Sequence, residues 1–155
     1  MNLTSRNVLL PEIAIVERAK KDKIYQAGTV YIQVSACRRA NFEQFCQLEE
    51  PQQIESKYAV VLPTVPVISK YLRIALEQAA FKFMCQFVGS NINISMESFR
   101  FFSLQWHDDL KAQQFVCEML APVEQSIKAE MQQINKIKAT KKYFLGTMFP
   151  QKTED

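Results

Sequence analysis

Histidine, glycine and closely spaced cysteine are the scarce features of this 155-residue chain. There is one histidine, His107, and there are only three glycines. The four cysteines, Cys37, Cys46, Cys85 and Cys117, lie far apart and form no Cys-x-x-Cys pair. The usual zinc-ligand spacings are therefore missing, and no metal is expected. So few glycines leave no phosphate-cradling loop: Gly-x-Gly-x-x-Gly, the P-loop and His-Glu-x-x-His are all absent, and no cofactor is expected. No stretch reaches the roughly 18 uncharged apolar residues of a membrane span, so no membrane partner is expected. The first residues, Met1 to Arg6, lack a secretory apolar region. Reduced thiols and a cytoplasmic location are the expectation.

Catalytic groupings are equally scarce. Any serine or cysteine triad would have to use His107, which sits beside Trp106, Asp108 and Asp109 where a helix is expected to begin. Adjacent carboxylates do not face each other on a helix, so helix capping accounts for Asp108 or Asp109 better than paired acid–base chemistry does. No catalytic residue is expected, and an enzyme built round His107 is the poorest of three readings.

Charge is mildly basic, with 19 Lys+Arg against 16 Asp+Glu and a net charge of +3. That balance permits nucleic acid as a partner without demanding it. The positive charge is concentrated. Residues 1–40 hold Arg6, Arg18, Lys20, Lys21, Lys23, Arg38 and Arg39 against Glu12, Glu17 and Asp22, whereas residues 41–56 hold Glu43, Glu49, Glu50 and Glu55 and no basic residue.

Patterning divides the chain into a mixed first part and a helical end. Residues 7–18 read as short elements on either side of Pro11. Residues 28–36 are the clearest strand, with Val30, Ile32 and Val34 at period two. Residues 41–50 suit a short helix capped by Asn41, and 58–63 a buried strand ended by proline. Ile68 to Phe87 repeats apolar residues at helical steps. Residues 91–95 alternate as a brief strand, and 96–102 suit a helical turn. From Val116, the residues Leu120, Val123, Ile127, Ile134, Ile137, Phe144 and Met148 follow at steps of three and four or their multiples. They form a heptad seam interrupted by Glu130 and Lys141. Pro122 should kink this helix or start a new segment, and Gly146 with Pro150 should stop it.

Two groups of residues carry the functional expectation. Arg38 and Arg39 leave the best strand, where a guanidinium fork can bind guanine or a phosphate. Asn41 or Gln33 can read an adenine edge, and Lys20, Lys21 and Lys23 suit phosphate contacts. Composition alone favours the plainer reading, that these are ordinary solvated turns. The second group is the seam. A helix over 116–148 is about 50 Å long at 1.5 Å per residue, too long for a small domain to cover, so a helical protein–protein interface is expected.

The order of segments then carries a resemblance. Gly-Thr-Val-Tyr-Ile-Gln-Val-Ser-Ala (28–36), Lys-Tyr-Ala-Val-Val-Leu-Pro (57–63), a helix and Gly-Ser-Asn-Ile-Asn-Ile (89–94) come first. Leu104, Leu110, Gln113-Gln114, Val116, Leu120 and Ile127 follow, then Lys141-Lys142-Tyr143-Phe144-Leu145 and Met148-Phe149. Together they resemble the specificity subunit of type I restriction–modification systems. A full-length subunit of that family has two target-recognition domains, each followed by a long helix, so this chain resembles half of one.

The resemblance implies an α+β fold with a mixed α/β target-recognition domain over 1–105. A helix over 106–150 would form an antiparallel coiled coil with a second copy, leaving 151–155 as a tail. The implied partners are double-stranded DNA, the modification (methyltransferase) subunit, the restriction subunit through the complex, and a second copy of the chain. Methyl transfer and cleavage would belong to other chains. The rival expectation is a protein-interaction module that docks on the methyltransferase through its helix without reading DNA.

Overall fold

A computed structural model describes residues 4–35, 45–88 and 93–149. The fold is α+β, with antiparallel sheets and a long C-terminal helix. Strand β1 (Arg6–Leu9) leads into a single helical turn, α1 (Leu10–Ile13), and then β2 (Ala14–Arg18). Pro11 is tolerated in that first turn because its missing N–H has no helical acceptor there. The Glu12 carboxylate closes the turn by accepting the backbone N–H of Leu9 at 2.9 Å.

A four-stranded sheet follows from the apolar runs. Its strands are β2, β4 (Val30–Gln33), β5 (Cys46–Gln47) and β7 (Tyr58–Pro63), in the order β2-β7-β4-β5. The central strand β7 is apolar without alternation because both of its faces are covered. Ala59 and Val61 face the main core with Ile32 and Val34. Val60 faces a second cluster with Ala19, Tyr25, Leu48 and Ile54. A two-stranded ribbon, β3 (Ile24–Tyr25) with β6 (Gln52–Gln53), contributes to that second face. Gly28 (φ +87°) makes the turn into β4, and its N–H donates to the Leu48 carbonyl at 2.8 Å.

Helix α2 (Ser69–Phe83) continues as a wider turn over Met84–Val88. Its residues Leu72, Leu76, Ala80 and Phe83 complete the main core with Phe99, Phe102, Leu104 and Trp106. Burying each such aliphatic side chain contributes about 1.5–3 kcal/mol. Residues Met96–Phe101 form a 3₁₀ helix. Strand β8 (Ser103–Trp106) then pairs with β1, tying the start of the chain to the strand before the last helix.

Three local expectations change. Residues 45–50 are not helical. Cys46 and Gln47 pair with Tyr31 and Val30, because the backbone of β4 offers a free edge that outweighs weak helical patterning. Residues 93–95 form no strand: Ile94 gives a single backbone bond to Val34 (2.9 Å). The last helix, α3 (Leu110–Met148), runs through Pro122 and past Gly146. Good helix formers surround Pro122. At the end, the Thr147 hydroxyl donates to the carbonyls of Tyr143 and Phe144, holding the final turn beyond the glycine.

The chain divides into two compact units, 1–117 and 118–155. The first turns of α3 belong to the first unit, where Ala112, Gln113 and Cys117 are buried. The described part of the second unit, 118–149, is helix almost throughout and buries none of its residues.

Candidate nucleic-acid interface

Strand register gathers basic side chains at one end of the four-stranded sheet. Arg18 ends β2 opposite Ala59 of β7, and Ile32 of β4 lies opposite the same Ala59 from the other side. The exits of β2 and β4 are therefore at the same end. The exit of β2 leads directly into the lysine turn. Ala19 donates its N–H to the Tyr58 carbonyl at 3.0 Å and packs in the second cluster. The turn closes with Lys23 N–H donating to the Lys20 carbonyl at 3.2 Å. Tyr25 fixes it from below, its buried ring in the second cluster and its hydroxyl accepting the Lys20 N–H at 2.9 Å.

Lys20, Lys21 and Lys23 are all exposed on this turn. Lys23 is partly neutralised, 3.5 Å from Glu17, and lies 4.9 Å from the Tyr25 ring centroid. Two cations that patterning did not single out join the group. Arg18 donates to the Ser35 hydroxyl (2.8 Å) and the Ser56 carbonyl (3.2 Å), clasping the exits of β2 and β4. Lys57 pairs with Glu55 at 2.9 Å, and that hydrogen bond raises its pKa. Finding either one requires the β2–β7–β4 register, which no local pattern displays.

Gln33 is half-buried and held along its own strand. Its side-chain amide donates to the Ser35 carbonyl at 2.9 Å, which stiffens the strand exit. Arg38, Arg39 and Asn41 lie outside the described residues. The chain enters their segment from Ser35, beside the Arg18 clasp.

His107 belongs to a structural clasp. Its backbone N–H donates to the Tyr71 hydroxyl at 2.8 Å, and its Nδ1 lies 2.9 Å from the same oxygen. Burial raises the Tyr71 pKa. Fully buried Gln113 completes the arrangement: its amide donates to the His107 carbonyl (2.8 Å) and accepts the Ile68 N–H (3.0 Å). Asp109 caps α3 by accepting the Lys111 N–H at 3.0 Å. Asp108 instead pairs with Arg6 at 2.8 and 3.1 Å, and those hydrogen bonds lower its pKa. Among the described residues no cluster of His, Cys, Asp or Glu is arranged to hold a metal. No described helix is long and apolar enough to cross a membrane.

The seam residues Leu120, Val123, Ile127, Ile134, Ile137, Phe144 and Met148 are all exposed, Ile137 at 68% and Met148 at 69%. Val116 differs, being half-buried against the main core of the first unit.

The sequence matches no protein-family model and no curated protein. The fold, however, is similar to a solved structure, the S subunit of a type I restriction–modification system from M. genitalium. The TM-score is 0.65 at 12% sequence identity, over 96% of this chain and 46% of that one. This chain thus has the fold of slightly less than half of that S subunit.

Proposed function

We propose that this chain is a non-enzymatic DNA-specificity subunit that directs a type I restriction–modification methyltransferase and endonuclease to a target sequence. It acts as a dimer of half-subunits. The observation that carries this reading is the fold likeness to an S subunit over 96% of the chain, when the chain spans only 46% of that protein. Fold alone does not fix function, but the ends of β2 and β4 add a physical reason. Lysines on a buttressed turn suit phosphates, and the segment with Arg38, Arg39 and Asn41 follows Ser35, which Arg18 holds. The first unit is then the recognition domain and the exposed helix the joint to a second copy and to the modification subunit. Two readers related by a two-fold axis suit a target made of two separated half-sites. Methyl transfer and cleavage fall to the partner chains.

The test is binding to a randomised duplex pool with the modification subunit present. Enrichment of a bipartite sequence is expected. No preference over bulk DNA at any salt concentration refutes it. A second reading is favoured by one observation: Lys23 and Lys57 face Glu17 and Glu55, and Gln33 is bonded within its own strand exit. On that reading the chain docks on the methyltransferase without reading DNA, and partner binding persists with no salt-dependent DNA affinity.

A further inference from the structure

The apolar stripe of the second unit is broken at two places, and the two breaks have opposite charge. Its steps put Leu120, Ile127, Ile134, Lys141 and Met148 at heptad position a, and Val123, Glu130, Ile137 and Phe144 at position d. Every one of these side chains is exposed on α3. A stripe this long and this apolar is a surface for another chain. Its two charged positions set the register in which a second copy can pair with it.

We propose that the stripe closes on a second copy of this chain in one antiparallel register, with Glu130 of each copy facing Lys141 of the other. The inference rests on the dimer read above, whose antiparallel direction the family resemblance already implies, and adds the register in which its two helices meet. In a parallel pair each seam residue meets its own counterpart. Glu130 would then face Glu130 and Lys141 would face Lys141, like charges in a water-poor seam. In an antiparallel pair, a positions face d positions. Setting Glu130 against Lys141 then sets Ile134 against Ile137, Ile127 against Phe144 and Val123 against Met148, each pair occurring twice by symmetry. Every apolar seam residue from Val123 to Met148 meets an apolar one, and both charged residues meet their opposites. Sliding one heptad either way destroys this: Glu130 would face Ile134 or Met148, and Lys141 would face Val123 or Ile137.

The flanking positions agree. In the same register Ser126 lies near Thr147, Gln133 near Thr140, Glu124 near Leu145 and Met131 near Lys138. No like-charge pair arises. The exposed apolar side chains Met131 and Leu145 gain cover from the aliphatic stems of Lys138 and Glu124. A charged pair within a seam is a poor source of stability but an effective selector of register.

The experiment measures the dimer dissociation constant of the full chain by analytical ultracentrifugation. E130K and K141E should each weaken the homodimer on the order of 100-fold. An equimolar mixture of the two should form a heterodimer, since both facing pairs are then opposite in sign. The double variant E130K/K141E should return to the wild-type constant, which also controls for misfolding of either single variant. Oxidation of I127C mixed with F144C, read by peptide mass spectrometry, should give the 127–144 cross-link. A 127–127 cross-link, or a dimer indifferent to the charge reversals, overturns the register and leaves the dimer standing. A wild-type chain that is monomeric at all concentrations overturns both.

Discussion

At the residue scale, several side chains hold the first unit in ways that mutation reads directly. Gly28 has φ +87°, a region where a Cβ is strained, and an alanine there would also meet the Ser69 hydroxyl at 2.9 Å. Gly28→Ala should cost about 1–2 kcal/mol, measured by urea unfolding of the full chain. The Arg6–Asp108 pair predicts an acid limb. Hydrogen bonds from Arg6 hold the Asp108 carboxyl below its ordinary range. A depressed folded-state pKa gives a contribution that is fully present above the unfolded value, about 4. That contribution is lost as pH falls further, through the folded value. Asp108→Asn should therefore lower the plateau near neutrality and flatten part of the stability decline below pH about 4. An unchanged acid limb would show that the pair is not kept in solution. Arg38→Ala and Arg39→Ala separate two modes of DNA contact. A loss of about 1–3 kcal/mol confined to the target sequence means base reading, whereas an equal loss on all duplexes means phosphate contact.

At the scale of elements, the clasp at the start of α3 shows why part of this molecule was legible in the sequence and part was not. Strand β4 and helix α2 follow from apolar periodicity, strand β7 from an unbroken apolar run ended by proline, and the 110–148 helix from its seam, because each signal lies along the element itself. The pairing of β1 with β8, and of Cys46 and Gln47 with β4, depends on chain segments distant in sequence and leaves no local mark. The same holds for Arg18 and Lys57, whose place in the basic group follows only from register. Gln113 is intermediate. The pair Gln113-Gln114 is among the residues that carry the family resemblance, but the role of Gln113 appears only when Ile68 and His107 are brought to it. Its two bonds satisfy an N–H at the start of α2 and a carbonyl just before α3. Gln113→Ala leaves both without that partner, so a loss of about 2–4 kcal/mol in unfolding free energy is expected. Gln113→Glu should not restore it near neutral pH, since a carboxylate at this fully buried position is costly and sets an acceptor oxygen against the His107 carbonyl.

At the scale of the whole molecule, affinity for DNA is set by how many phosphate-binding turns one particle presents. A net charge of +3 on each chain is too small for diffuse attraction to dominate, so counterion release should be governed by the local turn at Lys20, Lys21 and Lys23. Each phosphate neutralised contributes about −0.9 to the slope of log affinity against log salt on duplex DNA. A dimer carries two such turns. Its slope should be about twice that of the monomer made by Ile127→Glu with Ile134→Glu, which places charge in the middle of the seam. Lys20→Ala and Lys21→Ala should each lower the dimer slope by about two, one per copy, without changing which sequence is preferred. Filter binding across a salt series, at protein concentrations above the dimer dissociation constant, measures all of these. Equal slopes for dimer and monomer mean that only one recognition unit touches the duplex. The two-reader arrangement then fails even if the helices pair as proposed.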